Sequence, residues 1–206
     1  MSGTTSSGQT WEERYSEKEF AFGTEPNDFL VEVASKITNG DTLVLGDGEG
    51  RNGVYLASLG HRVVTVDLSP AGVKKSQQLA IERDVEIDAQ VGDLKYFDLG
   101  IAKWDCIVSI FCHLPFALRT DVHQRVKTAL RPGGQFVLEA YNKANIGRGV
   151  GGPQITELTV ELSELEEQFA GYKFWVNRSI ERNIVEGKYH NGMSSTTQLV
   201  AVKPIA

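Results

Sequence analysis

Residues 41–67 constrain the fold more than any other stretch. They read Asp41-Thr-Leu-Val-Leu-Gly46-Asp47-Gly48-Glu49-Gly50-Arg51-Asn52-Gly53, then an apolar segment closed by Gly60, then His61-Arg-Val-Val-Thr-Val-Asp67. Residues 42–45 form a short apolar run without helical periodicity, as a buried parallel strand requires. The glycines that follow allow a sharp turn and a close approach of backbone to a ligand. Val54, Tyr55, Leu56, Ala57 and Leu59 predict a helix stopped by Gly60. Residues 63–66 predict a second strand with Asp67 at its C-terminal tip. The stretch is one βαβ unit with a Gly-rich first turn and a carboxylate ending its second strand. Ligands of open α/β sheets bind at that edge.

Two ligands compete for the loop. Gly48-x-Gly50-x-x-Gly53 matches the dinucleotide pattern, and Asp67 falls near the place of its ribose acid. A pyrophosphate, however, brings negative charge to the helix N-terminus. Here the loop sets Asp47 and Glu49 against Arg51 alone. S-adenosylmethionine is cationic overall, and its ribose diol still needs an acid such as Asp67. The third reading is a tight turn without a ligand.

The 206 residues, 41% of them hydrophobic, suffice for one ordinary domain with its own core. A net charge of −6 with no basic cluster argues against nucleic acid as a partner. No apolar run reaches the roughly 18 residues of a membrane span. Residues 1–10 are small and polar and read as a disordered tail, leaving 11–206 as a single domain. Cys106 and Cys112 make no CxxC pair; Cys106 reads as a small buried hydrophobe, and the cytoplasm is the default compartment.

Residues 11–20 predict a short helix with Trp11, Tyr15 and Lys18 along one side, either docked on the core or closing as a lid. Pro26 suits a first helical turn. Phe29, Leu30, Val33, Ala34 and Ile37 continue a helix to Asn39-Gly40. Ser69 and Pro70 start another that runs to about residue 83, with Lys74, Lys75, Gln77 and Gln78 in solvent. A third strand over 85–91 leads to Gly92-Asp93-Leu94, with Tyr96, Phe97 and Leu99 covering the sheet edge. Residues 104–111 are nearly all apolar and predict a central fourth strand, broken at Cys112-His113-Leu114-Pro115. A helix over 115–130 and the turn Arg131-Pro-Gly-Gly134 precede a fifth strand over 135–141. Residues 142–153 hold four glycines in a long loop at the ligand edge, which points to function. Leu158, Leu162, Leu165 and Phe169 predict a last helix. Residues 172–185 and 189–203 predict an antiparallel pair turning near Glu186-Gly187.

This order resembles the class I S-adenosylmethionine-dependent methyltransferases over roughly residues 11–203. The implied fold is α/β, a Rossmann-like seven-stranded, mostly parallel sheet with helices on both faces and a C-terminal antiparallel hairpin. Residues 44–52 resemble the family's first motif, Gly92-Asp93-Leu94 its adenine-reading segment, and residues 130–134 its turn before the fifth strand. The resemblance implies that Gly46, Asp47, Gly48, Gly50, Arg51, Asn52, Asp67, Leu68, Asp93, Leu94 and Ile110 hold S-adenosylmethionine and its product S-adenosylhomocysteine. Residues 50–57 and the aromatic N-terminal segment resemble the tellurite-resistance and thiopurine/thiol methyltransferase branch. One departure is Val44, where the family often has an acid for the donor's amino group; Asp47 or Glu49 is the candidate replacement.

Methyl transfer from a sulfonium is an in-line displacement, so the enzyme must align its reactants in a dry site. A hydroxyl acceptor also needs a base, whereas a thiolate or a selenium or tellurium oxyanion needs little. His113 and Tyr141, at the tips of strands four and five, are the candidate catalytic residues; His113 equally suits a structural role in its turn. His61, His123 and His190 have no acidic or basic partner in the pattern. Cys112-His113 is not a metal pair, because adjacent residues do not aim at one ion and no further ligands are spaced for it. With no base dyad legible, the expected reaction is methylation of a small soft acceptor by a monomer or weak homodimer. A small-molecule O-methyltransferase, an NAD-dependent oxidoreductase and a non-catalytic adenosylmethionine-binding protein are the alternatives.

Overall fold

The computed structural model describes residues 10–205. Of the expected tail, all but Thr10 lies outside them. The βαβ unit is β1 (Asp41–Leu45), α3 (Arg51–Ser58) and β2 (Arg62–Asp67). Around it lie α1 (Trp11–Tyr15), α2 (Asp28–Ala34), α4 (Pro70–Glu82), β3 (Ile87–Val91), β4 (Trp104–Ile110), α5 (Phe116–Ala129), β5 (Leu130–Tyr141), α6 (Leu162–Gln168), β6 (Lys173–Glu186) and β7 (His190–Val202). The seven strands form one sheet in the order β3-β2-β1-β4-β5-β7-β6. Strands β1 to β5 are parallel and β7 is antiparallel to both neighbours.

Side chains alternate across each strand. Leu43, Leu45, Ile107, Phe136, Leu138 and Leu199 face one core with Val122 and Val126 of α5 and Leu165 of α6. Val44, Cys106, Val108, Val137 and Val200 face the other, with Phe29, Leu30 and Val33 of α2 and Leu56 of α3. Cys106 is fully buried there, as expected. Helices therefore cover both faces, and the near-continuous apolar reading of the central strands follows.

Several expected boundaries move. Pro26 precedes α2 rather than opening it, because the Asn27 side chain accepts from Leu30 N at 3.0 Å and caps the helix one residue later. That helix ends at Ala34, short of Asn39-Gly40. Leu158 belongs to a separate 3₁₀ turn, Thr156–Leu158, and not to α6. The Arg131–Gly134 turn is absorbed into β5, whose register with β4 slips between Trp104 and Cys106. Tyr96 is 76% exposed and covers nothing, while Phe97 and Leu99 do pack on the core. Lys75 is not solvated: its Nζ meets Glu49 Oε1 at 2.8 Å.

The C-terminal tips of the parallel strands, the end of β6 and the start of β7 share one edge of the sheet. The β6–β7 turn pairs Glu186 with His190 across the hairpin and delivers both to that edge.

Candidate active site

The loop after β1 is shaped by backbone geometry. Gly46, Gly48 and Gly50 have φ of 60°, 58° and 91°, in the left-handed region that L side chains rarely adopt. Gly48 N donates to Asp67 Oδ2 at 2.8 Å, and Ser69 N to Asp67 Oδ1 at 2.9 Å. Each oxygen of this half-buried carboxylate keeps acceptor capacity for a diol. Burial raises the Asp67 pKa, and the bonds from Ser69 and Gly48 oppose that rise. Asp93 is half-buried beside the tip of β3, and Leu68 is 40% exposed at the same edge. Leu94 is buried in the core on the α5 side, and Ile110 in the core on the α2 side.

Four residues expected at the cofactor direct their side chains into the protein. Asp47 turns to the start of α3, where Oδ2 accepts from Gly53 N at 3.1 Å; it serves as the cap that Gly50 cannot provide. Its Oδ1 is buried without a hydrogen-bond partner among the described residues, and burial pushes its pKa up to about 7. Arg51 meets Glu186 Oε2 at 2.6 Å. Asn52 Oδ1 accepts from Asn27 N at 3.0 Å. Glu49, the other candidate for the donor's amino group, accepts from Ala21 N at 2.7 Å and from Lys75. The acidic loop charges that favoured S-adenosylmethionine over a dinucleotide are thus occupied internally, and that argument falls away. The sheet replaces it: a dinucleotide fold orders its strands 3-2-1-4-5-6, whereas here the antiparallel β7 is inserted between β5 and β6.

The tips of β4 and β5 and the start of β7 carry an aromatic cluster. The rings of Phe111 and Tyr141 stack with centroids 4.7 Å apart, and His190 lies 4.9 Å from Phe111 and 5.3 Å from Tyr141. Phe22 packs on His190 at 4.5 Å, and His113 lies 5.8 Å from Tyr141. Phe111 is held at φ 51°, a strained position for a non-glycine residue. The two expected catalytic residues, His113 and Tyr141, are therefore neighbours. Tyr141 Oη, His113 Nδ1 and His190 Nδ1 are buried without hydrogen-bond partners among the described residues. Buried polar atoms are normally paired; Tyr141 Oη and His113 Nδ1 are therefore open to a further partner, whereas the nearest acceptor to His190 Nδ1 is Glu186. Burial lowers the His113 pKa to about 3 and raises that of Tyr141. His113 is thus a neutral imidazole and Tyr141 a protonated donor at neutral pH.

His190 was expected to have no acidic partner, and the hairpin supplies one. Glu186 Oε2 lies 3.8 Å from His190 Nδ1. Burial lowers the His190 pKa, Glu186 opposes this, and Arg51 and Arg14 reinforce it. Against the penalty of burial, His190 and Arg51 hold the Glu186 carboxyl down at about 2. The signal was present in the sequence: a three-residue turn over 187–189 pairs residues 186 and 190. His61 and His123 bond instead to Thr42 Oγ1 and Gln168 Oε1, and serve the core.

A family profile described as a methyltransferase domain matches residues 43–134, from β1 through the start of β5. The chain is an S-adenosylmethionine-dependent methyltransferase. A 2-heptyl-1-hydroxyquinolin-4(1H)-one methyltransferase of Mycobacteroides abscessus is 25% identical over 171 residues, which make up 82% of this chain and 73% of that protein. The structure of TehB from Haemophilus influenzae superposes with a TM-score of 0.73 at 21% identity, covering 95% of this methyltransferase and 68% of that chain. A magnesium protoporphyrin IX methyltransferase from Synechocystis PCC 6803, solved with bound SAH, gives 0.63 at 17% identity over 85% and 79% of the two chains. These two structures share its fold. Among its described residues no helix is long and apolar enough to cross a membrane.

Proposed function

We propose that this methyltransferase transfers a methyl group to an acidic hydroxyl on a small planar aromatic or heteroaromatic molecule. The buried His190, backed by Glu186 at 3.8 Å inside an aromatic cluster, carries the reading. A thiolate or a tellurium oxyanion is nucleophilic already and gains little from a base. A hydroxyl gains typically about 10²–10⁴-fold. The relative from Mycobacteroides abscessus is named for a planar bicycle bearing a hydroxyl on its ring nitrogen, which is the acceptor chemistry proposed here.

Bound S-adenosylmethionine supplies an electrophilic methyl group on a sulfonium. Asp67 fits its ribose diol, because both carboxylate oxygens are already fixed by backbone donors and keep free lone pairs. Leu68 and Asp93 flank the place for the base. Phe111 and Phe22 offer apolar faces to a flat acceptor and exclude water. With Nδ1–H directed at Glu186, the Nε2 lone pair of His190 is available to accept the hydroxyl proton, and Glu186 stabilises the resulting charge. Tyr141 and His113 supply hydrogen bonds that orient the acceptor. The described cysteines are unpaired, which suits the cytoplasm, and the proposed partner is a small molecule rather than nucleic acid. We place the single domain, residues 11–206, in the tellurite-resistance-like branch as a scaffold, with acceptor chemistry of its own.

The test is transfer of labelled methyl from S-adenosylmethionine to a panel of hydroxyquinolones, phenols, thiols, selenite and tellurite. The expected result is preferential labelling of a ring hydroxyl. Labelling confined to thiols or the oxyanions reverses the assignment to a soft acceptor.

A further inference from the structure

Arg51 follows the glycine loop directly, where a donor contact is expected, yet the residue is only 8% exposed and its guanidinium is turned toward the hairpin. Its Nη2 donates to Glu186 Oε2 at 2.6 Å, the same oxygen that lies 3.8 Å from His190 Nδ1. Glu186 Oε1 accepts from Asn27 Nδ2 at 2.9 Å and from Arg182 Nη2 at 3.3 Å. Glu186 is thus held on both oxygens, and Arg51 fixes the one that faces the imidazole. Building on the reading of His190 as the base, we propose that Arg51 is a positioning residue for the acceptor side, holding Glu186 in place behind His190 rather than meeting the donor.

The charges facing His190 come from each element packed around it. They are Glu186 on β6, Arg51 on α3, Arg14 on α1 and the second imidazole, His113, after β4; Arg182 on β6 and Glu139 on β5 connect to it through Glu186. Two carboxylates, Glu139 and Glu186, balance the two guanidiniums bonded to them, Arg51 and Arg182. Burial, with Arg51 and Arg14, favours the neutral form of His190 against the opposing carboxylate of Glu186. Loss of the Arg51 charge leaves Glu186 in excess. The imidazolium form of His190 then gains, and the residue holds its proton to higher pH.

The test compares Arg51→Met and Arg51→Lys with wild type. In Arg51→Met, the acid limb of the kcat/KM profile for the hydroxyl acceptor is expected to move up by about one pH unit. The His190 titration followed by NMR moves with it. Affinity for S-adenosylhomocysteine changes by less than about threefold, since uniform donor binding is untouched. Arg51→Lys retains the charge and recovers most of the wild-type profile. A fall in S-adenosylhomocysteine affinity of about tenfold or more, roughly 1.4 kcal/mol, with an unmoved His190 titration makes Arg51 a donor residue and overturns the proposal. A uniform rate loss at every pH with that titration unmoved reduces Arg51 to a structural strut and also overturns it. A His190 titration that moves while the rate limb stays fixed upholds the Arg51–Glu186–His190 link and removes His190 as the base.

Discussion

Asp67 is bound at both oxygens by backbone donors, so it organises the glycine loop, and in the proposed site it also meets the ribose. Asp67→Ala should weaken S-adenosylhomocysteine by roughly 1.5–3 kcal/mol, the range for bonds to a charged group. Because Gly48 N and Ser69 N lose their acceptor too, its thermal midpoint should also fall. Calorimetry and a melting curve read the two effects, and unchanged affinity would misplace the ribose. Asp47 is the contrary case, a buried carboxylate with one oxygen unpaired among the described residues and a pKa pushed up by burial to about 7. Its folded pKa lies above its unfolded value, so its contribution favours folding below the unfolded pKa and is lost as pH rises through about 7. Asp47→Asn should therefore be more stable than wild type at pH 8, by on the order of 2 kcal/mol, and nearly equal to it at low pH. Urea unfolding at the two pH values checks this, and an equal difference at both would contradict it. The placement of the glycines and Asp67 was legible because it follows from backbone geometry at a strand tip. The roles of Asp47, Glu49, Arg51 and Asn52 were not, since loop spacing says which residues are near a ligand and nothing of where their side chains turn.

At the scale of elements, α1 and the segment behind it close over the loop. Glu12 accepts from Ser69 Oγ and, at 3.1 Å, from Ala71 N, at the start of α4. A Cβ on Gly48 would come within 2.5 Å of the Tyr15 hydroxyl, so this ring lies directly on the loop. Trp11, Tyr15 and Phe22 form an aromatic chain that ends on His190 and Tyr189. If this strap opens to admit the donor, its amides should gain protection from hydrogen exchange when S-adenosylhomocysteine binds. Equal protection with and without ligand would make it a fixed part of the wall. Aromatic spacing revealed the helix in the sequence. Its seat was invisible, because that seat depends on contacts with residues far along the chain and on a short helix unable to stand alone.

Across the whole molecule, a buried charged network ties the N-terminal segment, β5 and the hairpin together. Glu139 is fully buried and accepts from Asn27, Arg182, Thr196 and Gln198. Glu139→Ala would leave Arg182 with only its longer contacts to Glu186 and Asp28 and take the shared acceptor from Asn27, Thr196 and Gln198, and should destabilise the fold by about 3–5 kcal/mol, measured by urea unfolding; a loss below about 1 kcal/mol would show the network to be dispensable. The parallel half of the sheet was legible from strand–helix alternation and glycine punctuation. The pairing of β7 beside β5, and with it the Glu186–His190 dyad, depends on the register of one hairpin, which a shift of a single residue would undo. The measurement that bears most directly on the whole account compares wild type and His190→Ala in methyl transfer to a hydroxylated heteroaromatic and to a thiol, across pH. The expected result is a loss of about 10²–10⁴-fold in kcat/KM for the hydroxyl and a small change for the thiol. Similar losses for both acceptors, or none for the hydroxyl, would contradict it.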